Sequence, residues 1–145
     1  MPPLGYVLGD EGGGVHLGRN LLNGIFKGHI PLKEEFLAAT GLSYEEIIRR
    51  VYREPYANRF LASFAPFILA HTDCPEVREM VRRSFGEFAS RNLSRYPQGL
   101  PVSFVGGIAA RFGELLRETL EAEDYRIGTI VESPAEGLLK YHHGR

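Results

Sequence analysis

Gly5-Tyr6-Val7-Leu8-Gly9-Asp10-Glu11-Gly12-Gly13-Gly14 sets glycines around two adjacent carboxylates, directly after a short apolar run. Glycine admits positive φ and lets other groups approach the backbone closely. Carboxylates beside such a turn accept hydrogen bonds from a hydroxyl-rich ligand or complement a helix start. Tyr6-Val7-Leu8 reads as the end of a strand and the glycines as the turn after it. Val15, Leu17, Leu21, Leu22, Ile25 and Phe26 then recur at helical spacing, which predicts a helix from about Gly13 to Lys27, stopped at Gly28. A strand-turn-helix unit of this kind normally sits inside a domain, so the chain is expected to open in the middle of a fold.

Outward from this segment the pattern is helical. Pro31 to Ala39 predicts a short helix ending near Gly41. Ser43 followed three residues later by Glu46 is a capping-box pattern, opening a helix over Glu45 to Tyr52. Pro55 suits the first turn of another helix, in which Phe60, Leu61, Phe64, Phe67, Ile68 and Leu69 are apolar and Pro66 predicts a kink. Pro75 begins a further helix, with Val77, Met80, Val81, Phe85, Phe88 and Leu93 as its apolar stripe.

The character changes after Tyr96-Pro97-Gln98-Gly99, which is turn chemistry. Pro101 to Val105 is a short apolar run with β-branched and aromatic residues, predicting a buried strand ended by Gly106-Gly107. Ile108 to Glu121 has helical periodicity, Arg126 to Val131 reads as a strand, and Ser133 caps a last helix over Pro134 to His142. The last part is a βαβα unit, which implies parallel strands with a right-handed crossover. The fold class expected is α/β, with about three strands and a large helical portion in a single domain over residues 1–145.

With 145 residues, 43% hydrophobic and 24% charged, the chain has the size and composition of one globular domain. No apolar run is long enough for a membrane span, and no secretory leader is read. A formal net charge of −1 argues against a mainly electrostatic nucleic-acid partner. The arginine clusters at 49–53 and 78–83 interleave with Glu45, Glu46, Glu76 and Glu79 at helical spacing, as solvated faces with i,i+4 pairs do. The single cysteine, Cys74, cannot form an internal disulfide, which is compatible with the cytoplasm.

Two segments carry chemistry. Gly106-Gly107 lies between a strand and a helix, where paired glycines let a nucleotide come close to the backbone; the pair is neither G-x-G-x-x-G nor a Walker loop, and a tight turn needing small residues accounts for it as well. Asp10 and Glu11, as neighbours in an extended segment, point to opposite sides and do not form an acid-base pair. One can face a pocket while the other caps the helix, or both can serve the helix start without a ligand. His16, His29 and His71 are isolated in sequence, His142-His143 reads as a solvated tail, and no nucleophilic triad or metal-ligand spacing is present.

The segment from Pro3 to Gly12 resembles the glycine-rich motif of N-acetylglucosamine kinase-like proteins, which belong with the BadF/BadG/BcrA/BcrD-type ATPases of the actin, sugar kinase and heat-shock ATPase superfamily. Asn58 to Pro66 is similar to the helix that precedes that family's nucleotide region. Val102-Ser103-Phe104-Val105-Gly106-Gly107-Ile108-Ala109 is similar to its adenosine-binding turn, and Ser133 to Leu139 to its terminal helix. The resemblance covers nearly the whole chain in the right order. It implies an incomplete ribonuclease H-like, actin-like ATPase C-terminal domain. It also implies an amino sugar held by Asp10, with Gly9 and Glu11 beside it, and ATP lying against Gly106, Gly107 and Ala109. Mg²⁺ would belong to the complete protein. The family's usual serine after the Gly-Asp-Glu-Gly run is Gly13 here.

The same resemblance implies parts that this sequence lacks: an N-terminal domain with a phosphate loop and a catalytic aspartate, and the first two strands of the present domain. No catalytic residue is therefore assigned, and the chain is expected to be inactive alone, needing the missing half as partner or forming a homodimer. Two other readings stay open. One is an ATPase activator of the same superfamily, although its cysteine-held cluster has no counterpart around Cys74. The other is a non-catalytic truncated product or interaction module.

Overall fold

The computed structural model describes residues 4–97 and 99–143, without the side chains of Glu136, Lys140 and His143. Pro3 of the glycine-rich segment, Gln98 of the predicted turn and the side chain of His143 therefore lie outside the described residues. The chain divides into two compact units, Met1–Phe88 and Ala89–Arg145.

The first unit is helical: α1 (Gly5–Leu8), α2 (Gly14–Phe26), α3 (Lys33–Thr40), α4 (Tyr44–Tyr52), α5 (Ala57–Ala62), α6 (Ala65–Ala70) and α7 (Pro75–Arg91), the last running past the division. α2 forms where the apolar period predicts it and buries Leu17, Leu21, Leu22 and Ile25 against α5 and α6. Its contact with α5 is backbone-close at Gly18, where a side chain would meet the Leu61 carbonyl. α3 ends at Gly41, whose φ of +65° is the left-handed conformation that closes a helix without a Cβ penalty. α4 starts on a complete capping box: Ser43 Oγ accepts from the Glu46 N–H at 3.2 Å, and Glu46 Oε2 accepts from the Ser43 N–H at 2.9 Å. Phe36, fully buried, meets the rings of Phe64 and Phe67 edge-on at 5.2 and 5.3 Å and joins α3 to the α5–α6 region.

The second unit contains a 3₁₀ turn (Leu93–Arg95), β1 (Pro101–Val105), α8 (Gly107–Arg111), α9 (Gly113–Glu121), β2 (Arg126–Val131) and α10 (Ala135–His143). β1 and β2 pair in parallel, with an irregularity in register between Val102 and Phe104. α8 contacts both strands and α9 contacts β2. Ser133 Oγ accepts from the Ala135 N–H at the start of α10, as its cap position predicts.

The structure corrects several expectations. Tyr6-Val7-Leu8 is a single helical turn, closed by Gly9 N–H to Gly5 O at 3.0 Å, so the sheet among the described residues has two strands rather than about three. A strand exists only through a ladder partner, and the apolar run has none here. β1, expected to be buried, alternates exposed and half-covered positions, and β2 likewise has no fully buried residue, because so small a sheet is covered only in part. Pro55 precedes rather than opens α5, which begins after Tyr56 at φ +63°. Pro66 does not kink one helix: the chain breaks into α5 and α6, with the proline in the first turn of α6. The helix read from Ile108 to Glu121 is likewise two, interrupted at Phe112, whose φ and ψ are −99° and 21°. Arg49 and Arg50 pair with Glu54, the latter at the expected i,i+4 spacing, and both also lie near enough to Glu46 to favour its charged form.

Candidate functional site

The carboxylate turn is built from three residues at positive φ: Gly5 at 69°, Asp10 at 69° and Gly12 at 75°. Asp10 O accepts from the Gly13 N–H at 2.9 Å, and Gly13 O then accepts from the Leu17 N–H, which starts α2. The exposed Asp10 side chain folds back over this start. A methyl group on Gly13 would lie 2.7 Å from Asp10 Cγ and from both of its carboxyl oxygens. The Asp10 carboxyl thus occupies the space beside Gly13 that a side chain there would enter. α2 has no acidic residue in its own first turn, and Asp10 and Glu11 set negative charge just ahead of its positive end. Gly9 is buried, and Gly12 rests on α7, where a methyl would be 3.2 Å from Phe88 Cβ.

Beneath the turn lies a buried polar group that sequence reasoning left without chemistry. His16, 4% exposed, has Nδ1 2.7 Å from Ser84 Oγ, and Ser84 is fully buried on α7. Ser84 Oγ also accepts from the Gly12 N–H at 3.2 Å. The Asn20 amide nitrogen stands 3.2 Å from the same His16 Nδ1, and His16 Nε2 lies 3.6 Å from Glu87 Oε2. Burial pushes the imidazole pKa below its ordinary value and Arg19 adds to this; Glu87, Glu11 and Asp10 act in the opposite direction. Its only trace in sequence is the i,i+4 pair of His16 and Asn20, because Ser84 is 68 residues from His16. His71 is not isolated either: it stacks on Phe67 at 4.0 Å and approaches Glu35 at 3.5 Å.

In the second unit Gly106 and Gly107 close the carboxyl end of β1. Gly106 has φ +136° and ψ 158°, a conformation open in practice only to glycine, and its N–H donates to Val131 O at the end of β2. A methyl group on either glycine would meet nothing within 4 Å, so the backbone here is accessible to a ligand. Ala109 is half-buried within α8, and Arg111 pairs with Glu132 at 3.8 Å beside the strand ends. The residues expected to touch a sugar and those expected to touch a nucleotide thus fall in different units, each accessible in its own setting.

Among the described residues, each unit also has a concavity that none of Gly9, Asp10, Glu11, Gly106, Gly107 and Ala109 lines. One, of about 320 Å³, is at the opposite end of the strands, lined by Tyr96, Leu100, Asp124 and Tyr125. The other, of about 640 Å³, lies in the first unit among Asn20, His29, Glu76, Arg83 and Glu87. Among the described residues no group of three or more His, Cys, Asp or Glu is arranged to hold a metal ion, and no helix is long and apolar enough to cross a membrane. The Cys74 thiol is pushed up by partial burial and contacts Glu76 Oε2 at 3.1 Å at the start of α7.

Among known proteins, no family model and no curated protein matches the chain. Solved structures do match. A crystal structure from Porphyromonas gingivalis, provisionally described as an N-acetylglucosamine kinase, is 44% identical and superposes with a TM-score of 0.96 over 100% of this chain and 52% of its own. The α/β, mostly helical architecture with its small parallel sheet is therefore shared with that protein. The chain is similar, over its whole length, to about half of a provisionally described N-acetylglucosamine kinase.

Proposed function

We propose that the chain is the C-terminal part of an ATP-dependent amino-sugar kinase, of the N-acetylglucosamine or glucosamine type. It would have a ribonuclease H-like, actin-like ATPase fold and belong with the BadF/BadG/BcrA/BcrD-type family. The observation that carries this reading is the 44% identity and 0.96 TM-score over the full chain with about half of a kinase-described protein. Asp10, flanked by Gly9 and Glu11, accepts hydrogen bonds from sugar hydroxyls. Gly106, Gly107 and Ala109 form the wall against which adenosine lies. The open space over both glycines fits such an approach, and a carboxylate acceptor fits a hydroxyl-rich ligand. The donor set for Mg²⁺ and the base toward the sugar hydroxyl come from the remainder of the kinase, on the same or another polypeptide. Positioning and charge stabilisation dominate phosphoryl transfer, so this chain alone transfers no phosphate. The setting proposed is cytoplasmic.

The test combines the chain with the remaining half of a matching kinase and measures ADP release. Release that requires both ATP and a hexosamine supports the reading. Asp10→Asn should then raise the sugar KM about tenfold or more, through loss of a charged hydrogen-bond acceptor. A completed protein that turns over no hexosamine refutes the substrate class.

A further inference from the structure

The polar group under the carboxylate turn has a direction set by its donors. The Gly12 N–H can only donate, so at that contact Ser84 Oγ is an acceptor. The Asn20 amide nitrogen can only donate, so at its 3.2 Å contact His16 Nδ1 is an acceptor. With Nδ1 bare, the remaining 2.7 Å contact is the Ser84 hydroxyl donating to His16 Nδ1. The ring proton then sits on Nε2, on the side of Glu87. The single Nδ1 lone pair is shared, with the Ser84 hydroxyl at 2.7 Å the main donor and the Asn20 amide at 3.2 Å the longer one, and no buried side-chain nitrogen or oxygen among the described residues is left unsatisfied.

We propose that His16 and Ser84 are positioning residues for the Asp10–Glu11 turn: neutral His16, protonated on Nε2, aligns the Ser84 hydroxyl so that its oxygen holds the Gly12 N–H. The clamp ties the turn to two helices at once, since His16 is on α2 and Ser84 on α7. Gly12 is pressed on α7 by Phe85 and Phe88 as well, but those contacts are apolar and do not set its amide direction. Asp10 is two residues ahead of Gly12 at a positive φ of 69°, so a turn released at Gly12 changes where the Asp10 carboxyl stands. The lowered imidazole pKa, from burial first and Arg19 second, agrees with a neutral ring. Glu87 from α7 and Asp10 and Glu11 from the turn pull in the other direction. The clamp stands on this geometry alone; its use in sugar binding rests on the kinase reading.

The decisive experiment needs no sugar or nucleotide. Long-range ¹H–¹⁵N spectra of the chain should show neutral His16 with Nε2 protonated and Nδ1 bare. On lowering the pH, the Gly12 amide should follow the titration curve of the His16 ring. Ser84→Ala should abolish that coupling while the ring still titrates, and Ser84→Thr should retain it. An Nδ1–H tautomer overturns the clamp, as does a Gly12 amide that ignores the His16 titration in the unsubstituted chain. Should Ser84→Ala fail to fold, the unsubstituted chain alone decides by that coupling. In the completed kinase, Ser84→Ala should raise the sugar KM about tenfold with kcat little changed, and Ser84→Thr should restore it. An unchanged KM overturns the positioning role, whereas no turnover by the unsubstituted kinase counts against the kinase reading and not against the clamp.

Discussion

Gly18 of α2 and Leu61 of α5 touch backbone to backbone: a methyl group on Gly18 would collide with the Leu61 carbonyl oxygen and lie 2.7 Å from its carbonyl carbon. Neither partner of that contact can swing aside. Gly18→Ala should therefore separate α2 from α5 and destabilise the chain by about 3 kcal/mol, the upper end of overpacking effects. Gly13→Ala is the control. Its new methyl would also be too close, but to the mobile end of the Asp10 side chain, and Gly13 has an ordinary φ of −83°. Its stability should stay within about 0.5 kcal/mol. Urea unfolding of the two variants distinguishes backbone contact from side-chain contact; equal losses would contradict it.

The His16 imidazole gives stability a defined pH dependence. Its pKa is lowered in the folded chain from 6.5, so the unfolded chain binds the proton more readily. The contribution is fully present above about 6.5 and is lost as the pH falls from there through the folded value. His16→Gln should flatten this part of the stability curve. Urea midpoints measured at intervals between neutral and mildly acidic pH check this. A chain whose midpoint rises on acidification through that window would reverse the sign.

Ser43 and Glu46 close the start of α4 by two reciprocal bonds. Ser43→Ala removes the acceptor for the Glu46 N–H and should cost about 1 kcal/mol, a typical cap loss. The Glu46 pKa is lowered by its hydrogen bonds from the backbone and side chain of Ser43, so acidification through its folded value should weaken the same cap. In Ser43→Ala the carboxyl should titrate closer to its ordinary 4.5, which carbon-detected NMR of Glu46 reads directly.

Phe36 is fully buried between the Phe64 and Phe67 rings. Phe36→Ala should cost about 3–5 kcal/mol, through lost transfer energy and the cavity left behind. Phe36→Leu should recover most of that loss, because it returns most of the apolar volume. Thermal unfolding orders the three chains; a leucine variant no better than alanine would point to the edge-on ring geometry rather than volume.

What can be read from sequence here is what residues close together in the chain decide. The capping box of α4 needs only residues three apart, the apolar face of α2 only its own period, and Gly41 only a backbone that admits positive φ. β1 and β2 were legible at their full lengths because short β-branched and aromatic runs between turns have few alternatives. The glycine and carboxylate content of the turn, and hence Asp10 as a candidate, was equally plain.

Tertiary structure decided what depends on partners distant in sequence. Tyr6-Val7-Leu8 has the composition of a strand, yet it lies in a helical turn, since among the described residues no strand pairs with it to offer its N–H and C=O groups a ladder. Gly18 reads as an ordinary weak point in a helix until Leu61 is brought against it. His16 has no chemistry in the sequence, where Ser84 is 68 positions away, and acquires it only when α2 and α7 meet beneath Gly12. Local propensity and spacing therefore determined most of the elements and the residue content of the carboxylate turn. The orientation of those carboxylates was settled by hydrogen bonds and steric contacts that exist only once distant helices are in contact.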